Sequence, residues 1–396
     1  MSTAPALPLS GLRVLEFTHA VMGPTAGLLL ADLGAEVIHI EPPQGDPTRR
    51  LKGFGTGYFP FYSRNKKSLA IDLKHDDGKT IIHQLVPTAD ILVENYGPGT
   101  MDRLGYSYDA MRTLNERLIY LSLKGFLSGP YEKRAALDEV VQMMGGLAYM
   151  TGPPGQPLRA GTSIIDIGGG MFGAMGIITA LYERERTGQG KFIKAALFET
   201  TAFFMGQHMA YSALTDGDVP PMPARVSAWS IYRIFETQDG ESIFVGVTSD
   251  RHWNSFCQVF ERPDWAADAR LDTNNGRIDE GAWLLPEVAA MLKGFTKQEI
   301  VARCETAGLP FAPIARPEDL FDDPQLNQAG DKGLVPTTLP DGTRTKLPRL
   351  PLEMGDYDFG LRHDPPAIGA DAGALLAEIG YSVDEIKQLK DAGTIA

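Results

Sequence analysis

The sequence predicts an α/β protein: a doubly wound domain followed by a second domain that opens on a β-hairpin. Three observations carry this reading. Short apolar strands alternate with helices through residues 13–200. The opening βαβ unit is compact and has a short loop, which calls for a parallel sheet. Composition then shifts at TDGDVPPMPAR (215–225), and the pattern beyond it opens on a hairpin instead of another βα repeat. The second domain is expected to begin near Val226, after a linker at 216–225.

Taken in order, Arg13–Phe17 reads as the first strand. Gly23-Pro24 opens an apolar helix, Thr25–Leu33, closed by Gly34. Glu36–Ile40 is the next strand, and Ser68–Leu73 the third, ending in Lys74. A helix over Asp77–Val86 leads to the strand Asp90–Asn95 and the turn Tyr96-Gly97-Pro98-Gly99. Met101–Leu104 is a helical turn and Tyr108–Asn115 a helix. The strand Leu118–Leu123 delivers Lys124. Leu137–Met150 shows one apolar helical face. Asp166 stands before Ile167-Gly168-Gly169-Gly170 and a long apolar helix to Thr187; its plainest role is an N-cap. Phe192–Ala196 is a strand and Leu197–Leu214 a helix.

In the second domain, Ser230–Thr237 and Ser242–Thr248 form a hairpin about Gln238-Asp239-Gly240. Helices follow near 250–260, 279–293 and 297–307, then the short strand Phe311–Ala315. The remainder is loop-rich, with a hairpin at Asp341-Gly342 and closing helices Ala372–Ile379 and Val383–Lys390.

Composition narrows the chemistry. The 396 residues carry a net charge of -13, which argues against nucleic-acid or anionic-membrane partners. A few local cations can still hold a small anion. Cys257 and Cys304 suggest neither a disulfide framework nor a cysteine zinc site, which fits a reducing cytoplasm. MSTAPALPLSGL lacks the charged region and apolar run of a signal peptide, and no stretch reaches the ~18 apolar residues of a membrane span. The seven histidines are scattered without HxxxH spacing, so no metal site is expected. No GxGxxG follows the first strand, Walker A and GxSxG motifs are missing, and no tightly bound cofactor is implied.

The positive signal is a set of polar residues after strands: His19–Met22, Lys74, Asn95-Tyr96-Gly97, Arg103 and Lys124. Strand ends on one edge of a parallel sheet converge, and three cations there could hold phosphates. The stretch Lys124–Gly170 adds the aspartates Asp138 and Asp166 among many glycines.

The sequence resembles the class III CoA-transferases, the family that includes formyl-CoA transferases and α-methylacyl-CoA racemases. The segments that carry the resemblance are LSGLRVLEFTHAVMGP (9–24), LLLADLGAEVIHIEPPQGDPTR (28–49), NKKSLAIDLK (65–74), ADILVENYGPGTMDRLG (89–105), RLIYLSLKGF (117–126), GPYEKRAALDEVVQ (129–142) and DIGGGMFGAMGIITALYERERTGQGKFI (166–193). They cover most of residues 9–200, in order. QDGESIFVGV (238–247) matches more loosely. The resemblance implies a CoA thioester substrate, a small organic acid as its partner, and two subunits interlaced like chain links. It also implies a Rossmann-like large domain, 1–215 plus 330–396, that carries a smaller inserted α+β domain, 226–318, between linkers at 216–225 and 319–329. By motif position, Ala20, Val21, Ile71, Asp72, Leu73, Lys74, Asn95, Tyr96, Gly97, Arg103 and Lys124 would line the CoA site.

The family's transferases use an aspartate nucleophile. It forms a mixed anhydride with the donor acyl group and then an aspartyl-CoA thioester. The resemblance places that aspartate about three residues after a Thr-Gly pair. Here Thr151-Gly152 is followed by Pro153-Pro154-Gly155, and no acid occurs between Glu139 and Asp166. Asp138 is the first substitute candidate and Asp166 the second. The racemases carry a histidine where Leu137 stands here, and an aliphatic side chain cannot exchange a proton. Two readings follow. The chain is an active transferase, for instance with succinyl-CoA as donor, acting as a homodimer. Alternatively it is a non-catalytic CoA-binding subunit paired with a homologous, Asp-bearing chain, as in the two-subunit transferases that activate arylsuccinates. An acyl-CoA racemase or isomerase is the weaker alternative. Arg159 and Arg225 are candidate clamps for the acid's carboxylate.

Overall fold

A computed structural model describes residues 6–215, 217–225 and 227–396. The expected linker residue Asp216, the expected start of the small domain at Val226, and residues 1–5 lie outside the described residues. The chain divides into two compact units, Met1–Pro223 with Pro324–Ala396, and Ala224–Asp323.

The first unit is built on six parallel strands: β1 (Arg13–Phe17), β2 (Glu36–Glu41), β3 (Lys66–Ala70), β4 (Ile91–Glu94), β5 (Ile119–Lys124) and β6 (Phe192–Ala196). Their order is β3-β2-β1-β4-β5-β6, so the chain reverses direction across the sheet between β1 and β4. In such sheets the crevice outside the carboxyl ends of the two central strands is the natural ligand site. The helices in this part are α1 (Met22–Asp32), α2 (Tyr58–Tyr62), α3 (Asp76–Leu85), α4 (Thr100–Leu104), α5 (Tyr108–Leu114), α6 (Asp138–Met144), α7 (Leu147–Thr151), α8 (Ile164–Thr187), α9 (Leu197–Phe204) and α10 (Gly206–Thr215).

Side chains alternate across the sheet with period two. Leu15, Phe17, Ile38, Ile40, Leu69 and Leu92 bury one face under Ile81, Ile82 and Leu85 of α3. Val14, Val37, Ile91, Val93 and Leu121 bury the other under Ala26 and Leu30 of α1 and Ile177 of α8. The helix α8 is long and apolar enough by length and composition to cross a membrane, but it lies on this sheet. An added Cβ at Gly173 would stand 2.9 Å from the Leu121 side chain. At the far end of α8, buried Arg184 donates to the Asp90 carboxylate at 2.9 Å.

The second unit pairs β7 (Ile231–Glu236) and β8 (Ser242–Val247) as an antiparallel hairpin, with β9 (Phe311–Pro313) added beside β8. Helices α11 (Asp250–Val259), α12 (Pro263–Ala266), α13 (Asn274–Asp279), α14 (Gly281–Leu292) and α15 (Lys297–Ala307) complete it around Trp253, Phe256, Leu284, Val288 and Ile300. The chain then returns to the first unit through the hairpin β10 (Leu334–Thr338) and β11 (Arg344–Pro348). The helices α16 (Ala372–Glu378) and α17 (Val383–Asp391) add Leu375, Leu376 and Leu389 to the cluster under α3.

Three expectations need correction. The helix expected over 137–150 is two helices, because Gly146 takes a left-handed φ of 87° that breaks the turn. The helix expected over 197–214 is broken at Met205. Asp166 is not an N-cap: α8 begins at Ile164, which puts Asp166 inside its first turn.

A buried charge network lies between the sheet and α1. Glu16 and His39 are register partners on β1 and β2, and Glu16 Oε2 meets His39 Nδ1 at 2.9 Å. Lys66 on β3 donates to Glu16 Oε1 at 2.7 Å and to the Pro24 carbonyl at 3.1 Å. The other imidazole nitrogen sits 3.3 Å from the Asp46 carboxylate. Burial alone would lower the His39 pKa, but the Asp46 and Glu16 carboxylates outweigh it and raise it to about 9. The stability this supplies is fully present below the ordinary histidine value and is lost as pH rises through about 9. Thermal denaturation between pH 7 and 10 should therefore show a loss on the order of 2 kcal/mol, and that loss should vanish in His39→Gln.

Candidate functional site

The site forms where the strands end. After β1 the chain turns through Thr18–Val21 into α1, and Ala20 adopts a left-handed φ of 62°, costly for a residue with a Cβ. Asn95, just past β4, holds this turn. Its amide accepts from the His19 N–H at 3.0 Å and donates to the His19 carbonyl at 2.9 Å. Both polar groups of Asn95 are thus spent on bridging the two central strands. Gly97 is exposed, and an added Cβ there would meet nothing within 4 Å, so the crevice is open beside it.

The expected CoA-lining residues sort into three kinds. Val21 and Ile71 are buried at 1% and 0% exposure; their side chains belong to the core, and only their backbone can face a ligand. Tyr96 is half-buried and its carbonyl accepts from Lys124 Nζ at 2.6 Å. Lys124 also donates to buried Glu94 at 2.7 Å, so its charge is already balanced. Asp72 turns back to accept from the Lys74 N–H at 2.9 Å, and the Leu73 carbonyl accepts from Tyr106 OH at 3.3 Å. That last bond ties the segment after β3 to the segment after α4. It carries the exposed Lys74 and the exposed Arg103 toward one region of the rim. Arg103 donates to Thr100 Oγ1 at 2.9 Å and pairs with no carboxylate among the described residues. Of the three expected cations, Lys74 and Arg103 are the ones left to meet an anion.

The two aspartates of the glycine-rich stretch come together but differ sharply. Asp138 opens α6 and is buried at 7% exposure. Its Oδ2 accepts the backbone N–H groups of Ile165 and Asp166, at 2.9 and 3.1 Å. Its Oδ1 accepts from Gln142 Nε2 at 2.5 Å, and Arg159 Nη2 lies 3.5 Å away. Asp138 therefore caps the first turn of α8 from a neighbouring helix. Gln142 is wholly buried and also accepts from the Ala160 N–H at 2.9 Å, which ties down the loop leading to α8. Sequence reading missed Gln142; its spacing of four from Asp138 on one helix was the available signal.

Asp166 is half-buried, and its carboxyl has no hydrogen-bond partner among the described residues. Burial, and then the Asp138 charge, push its pKa up to about 7, with Arg159 opposing. The three glycines that follow allow close approach. An added Cβ at Gly170 would come 2.6 Å from the Met22 carbonyl, and one at Gly169 2.5 Å from the Met22 side chain. The second turn of α8 thus rests on the first turn of α1, directly after the Ala20 turn. A carboxyl that is raised in pKa, unpartnered and set in the first turn of a helix has the chemistry to attack an acyl carbon. Thr151–Leu158 forms a mostly exposed loop closed by the Leu158 N–H on the Ala148 carbonyl at 2.9 Å; it offers no acid at Gly155. Arg225 lies in the second unit. No cluster of three metal-ligating side chains occurs among the described residues.

The family model for CoA-transferase family III matches residues 9–372. The chain belongs to CoA-transferase family III. This family III chain is 32% identical to the succinate–glutarate CoA-transferase of Agrobacterium fabrum, over 94% of its own length and 96% of the relative's. It is 35% identical to the acetyl-CoA:oxalate CoA-transferase of Acetobacter aceti, covering 89% of this chain and 91% of that one. Among solved structures, a CAIB/BAIF family protein from Brucella suis matches with a TM-score of 0.83 at 29% identity, covering 95% of this chain and all of that one.

Within the family III fold, replacing Asp138 tests the cap. Asp138→Ala should cost about 1–2 kcal/mol, because two N–H groups and a buried amide lose their acceptor. It should also lower the Asp166 pKa by removing the neighbouring charge. Thermal melting and the pH–rate profile check the two effects separately.

Proposed function

We propose that this chain is a CoA-transferase that moves CoA between an acyl-CoA thioester, such as succinyl-CoA, and a small organic acid, with Asp166 as nucleophile. The observation that carries this is the contrast between the two aspartates. Asp138 is consumed by four contacts, whereas Asp166 is free and raised in pKa beside it. This reverses the order in which the sequence ranks them. It also leaves no need for an acid at Gly155.

In the reaction, one Asp166 oxygen attacks the thioester carbonyl. The C–S bond breaks, CoA leaves as thiolate, and a mixed anhydride remains. The thiolate then attacks the Asp166 acyl carbon and releases the donor acid, which leaves an aspartyl-CoA thioester. The acceptor carboxylate attacks that thioester and the sequence reverses. The N–H groups of Gly168–Gly170 are committed to the α8 helix ladder, so oxyanion donors would come from the turn at Ala20. Lys74 and Arg103 would meet the phosphates of CoA.

A second copy of the chain fits this reading. Met171, Met175, Ile178 and Tyr182 are 44–69% exposed at helical spacing along α8, an apolar stripe that suits an interlaced partner. The buried thiols of Cys257 and Cys304 accord with a cytoplasmic setting. The alternative, a CoA-binding subunit that needs an Asp-bearing homologue, draws on the acid-free loop at Thr151–Pro157. One experiment separates them. The purified chain is incubated with succinyl-CoA and hydroxylamine, and peptide mass spectrometry is used to find the hydroxamate. A hydroxamate on residue 166 supports self-sufficient transfer. CoA binding with no hydroxamate anywhere in the chain supports the subunit reading.

A further inference from the structure

Lys74 and Arg103, the cations left to meet an anion, lie on separate segments, one after β3 and one on α4. One side chain joins them. Tyr106 follows the left-handed Gly105 that ends α4, and its N–H donates to the Met101 carbonyl at 2.8 Å. Its backbone is thereby fixed to the helix that carries Arg103. Its hydroxyl donates to the Leu73 carbonyl at 3.3 Å, one residue before Lys74. The residue is wholly buried, with its ring 5.7 Å from that of Phe17 and edge-on to that of His83. Its carbonyl accepts from Tyr120 OH at 3.0 Å, so it is held at both ends. Burial, and then the Asp72 charge, push the phenol up to about 12, so it remains a donor at neutral pH.

The far side of the Lys74 turn is fixed as well. The Asp72 N–H donates to the Thr394 carbonyl at 2.8 Å, and the Ala396 N–H donates to the Ala70 carbonyl at 3.2 Å. Thr394 and Ile395 are both buried there. The turn thus has a backing on one side and the Tyr106 hydroxyl on the other. We infer that Tyr106 is a positioning residue for CoA: its hydroxyl sets the spacing between Lys74 and Arg103, so that both cations engage the phosphates of one bound molecule. The inference rests on the transferase reading and goes beyond it, since Tyr106 is buried and acts through the two cations. Cations fixed in advance lose less freedom on binding than cations that must each find the ligand.

Tyr106→Phe removes the hydroxyl and keeps the ring with its contacts, so the fold should be retained, which thermal melting checks. CoA binding to the full-length protein is measured by calorimetry, so turnover is not required. Tyr106→Phe should weaken CoA binding about fivefold, the scale of one hydrogen bond of this kind. A merely structural loss would act alike in every background. In Lys74→Met, which has already given up one of the two cations, adding Tyr106→Phe should change the affinity by less than about twofold. In transfer from succinyl-CoA, the loss caused by Tyr106→Phe should fall on KM more than on kcat. Unchanged CoA affinity in Tyr106→Phe, or an equal loss with and without Lys74, overturns the inference. A wild-type chain that binds no CoA overturns the transferase reading itself.

Discussion

Replacing Asp166 with asparagine should abolish CoA transfer and stabilise the protein at alkaline pH, two effects rarely produced together. Loss of the nucleophile should lower kcat by at least about 10⁴-fold, the scale seen when a covalent group is removed. The gain in stability follows from linkage. The folded carboxyl titrates near about 7, against 3.8 for an ordinary aspartate, because of burial and then the Asp138 charge. Between those values the folded chain holds a proton that the unfolded chain has released. Its contribution is therefore present at low pH and is lost as pH rises through about 7. An amide stays neutral throughout. At pH 8 the variant should gain about 1–2 kcal/mol, a figure reduced from the full shift because the group is partly solvated. Melting curves at pH 5 and pH 8 check this: the gain should appear at pH 8 and shrink at pH 5. In the wild type, transfer should rise with pH through the same region, as the attacking carboxylate forms.

Gly27→Ala should be strongly destabilising. Alanine normally improves a helix over glycine by about 1 kcal/mol. Here the added Cβ would lie 1.7 Å from Glu16 Oε1 and 3.0 Å from Lys66 Nζ. The methyl cannot be accommodated without parting that pair, and separating a buried carboxylate from its partner costs about 3–5 kcal/mol. Gly206→Ala is the control, since an added Cβ at the start of α10 meets nothing within 4 Å. Denaturant midpoints should fall steeply for Gly27→Ala and hold or rise for Gly206→Ala.

Much of the fold was legible because the strands are short, apolar and bounded by turn residues. Arg13–Phe17 and Phe192–Ala196 match the strands expected from sequence. Helix ends were less so. Two expected helices are broken, at Gly146 by its left-handed φ and at Met205, and the apolar periodicity runs across both breaks without marking them. The site was half legible. Strand ends pointed to the crevice and to Lys74 and Arg103. The pattern could not show that Lys124 is balanced by Glu94, since that pairing joins residues 30 apart across two strands. Nor could it rank the aspartates. Asp138 and Asp166 look alike in sequence, and only the bonds from Ile165 and Asp166 to the Asp138 carboxylate separate the capping aspartate from the unpartnered one.

Those two bonds span 27 and 28 positions of chain and carry the start of α8 without help from the loop between. The backbone of Asp166 is thereby placed by a residue far away in sequence, so its position belongs to α6 as much as to α8.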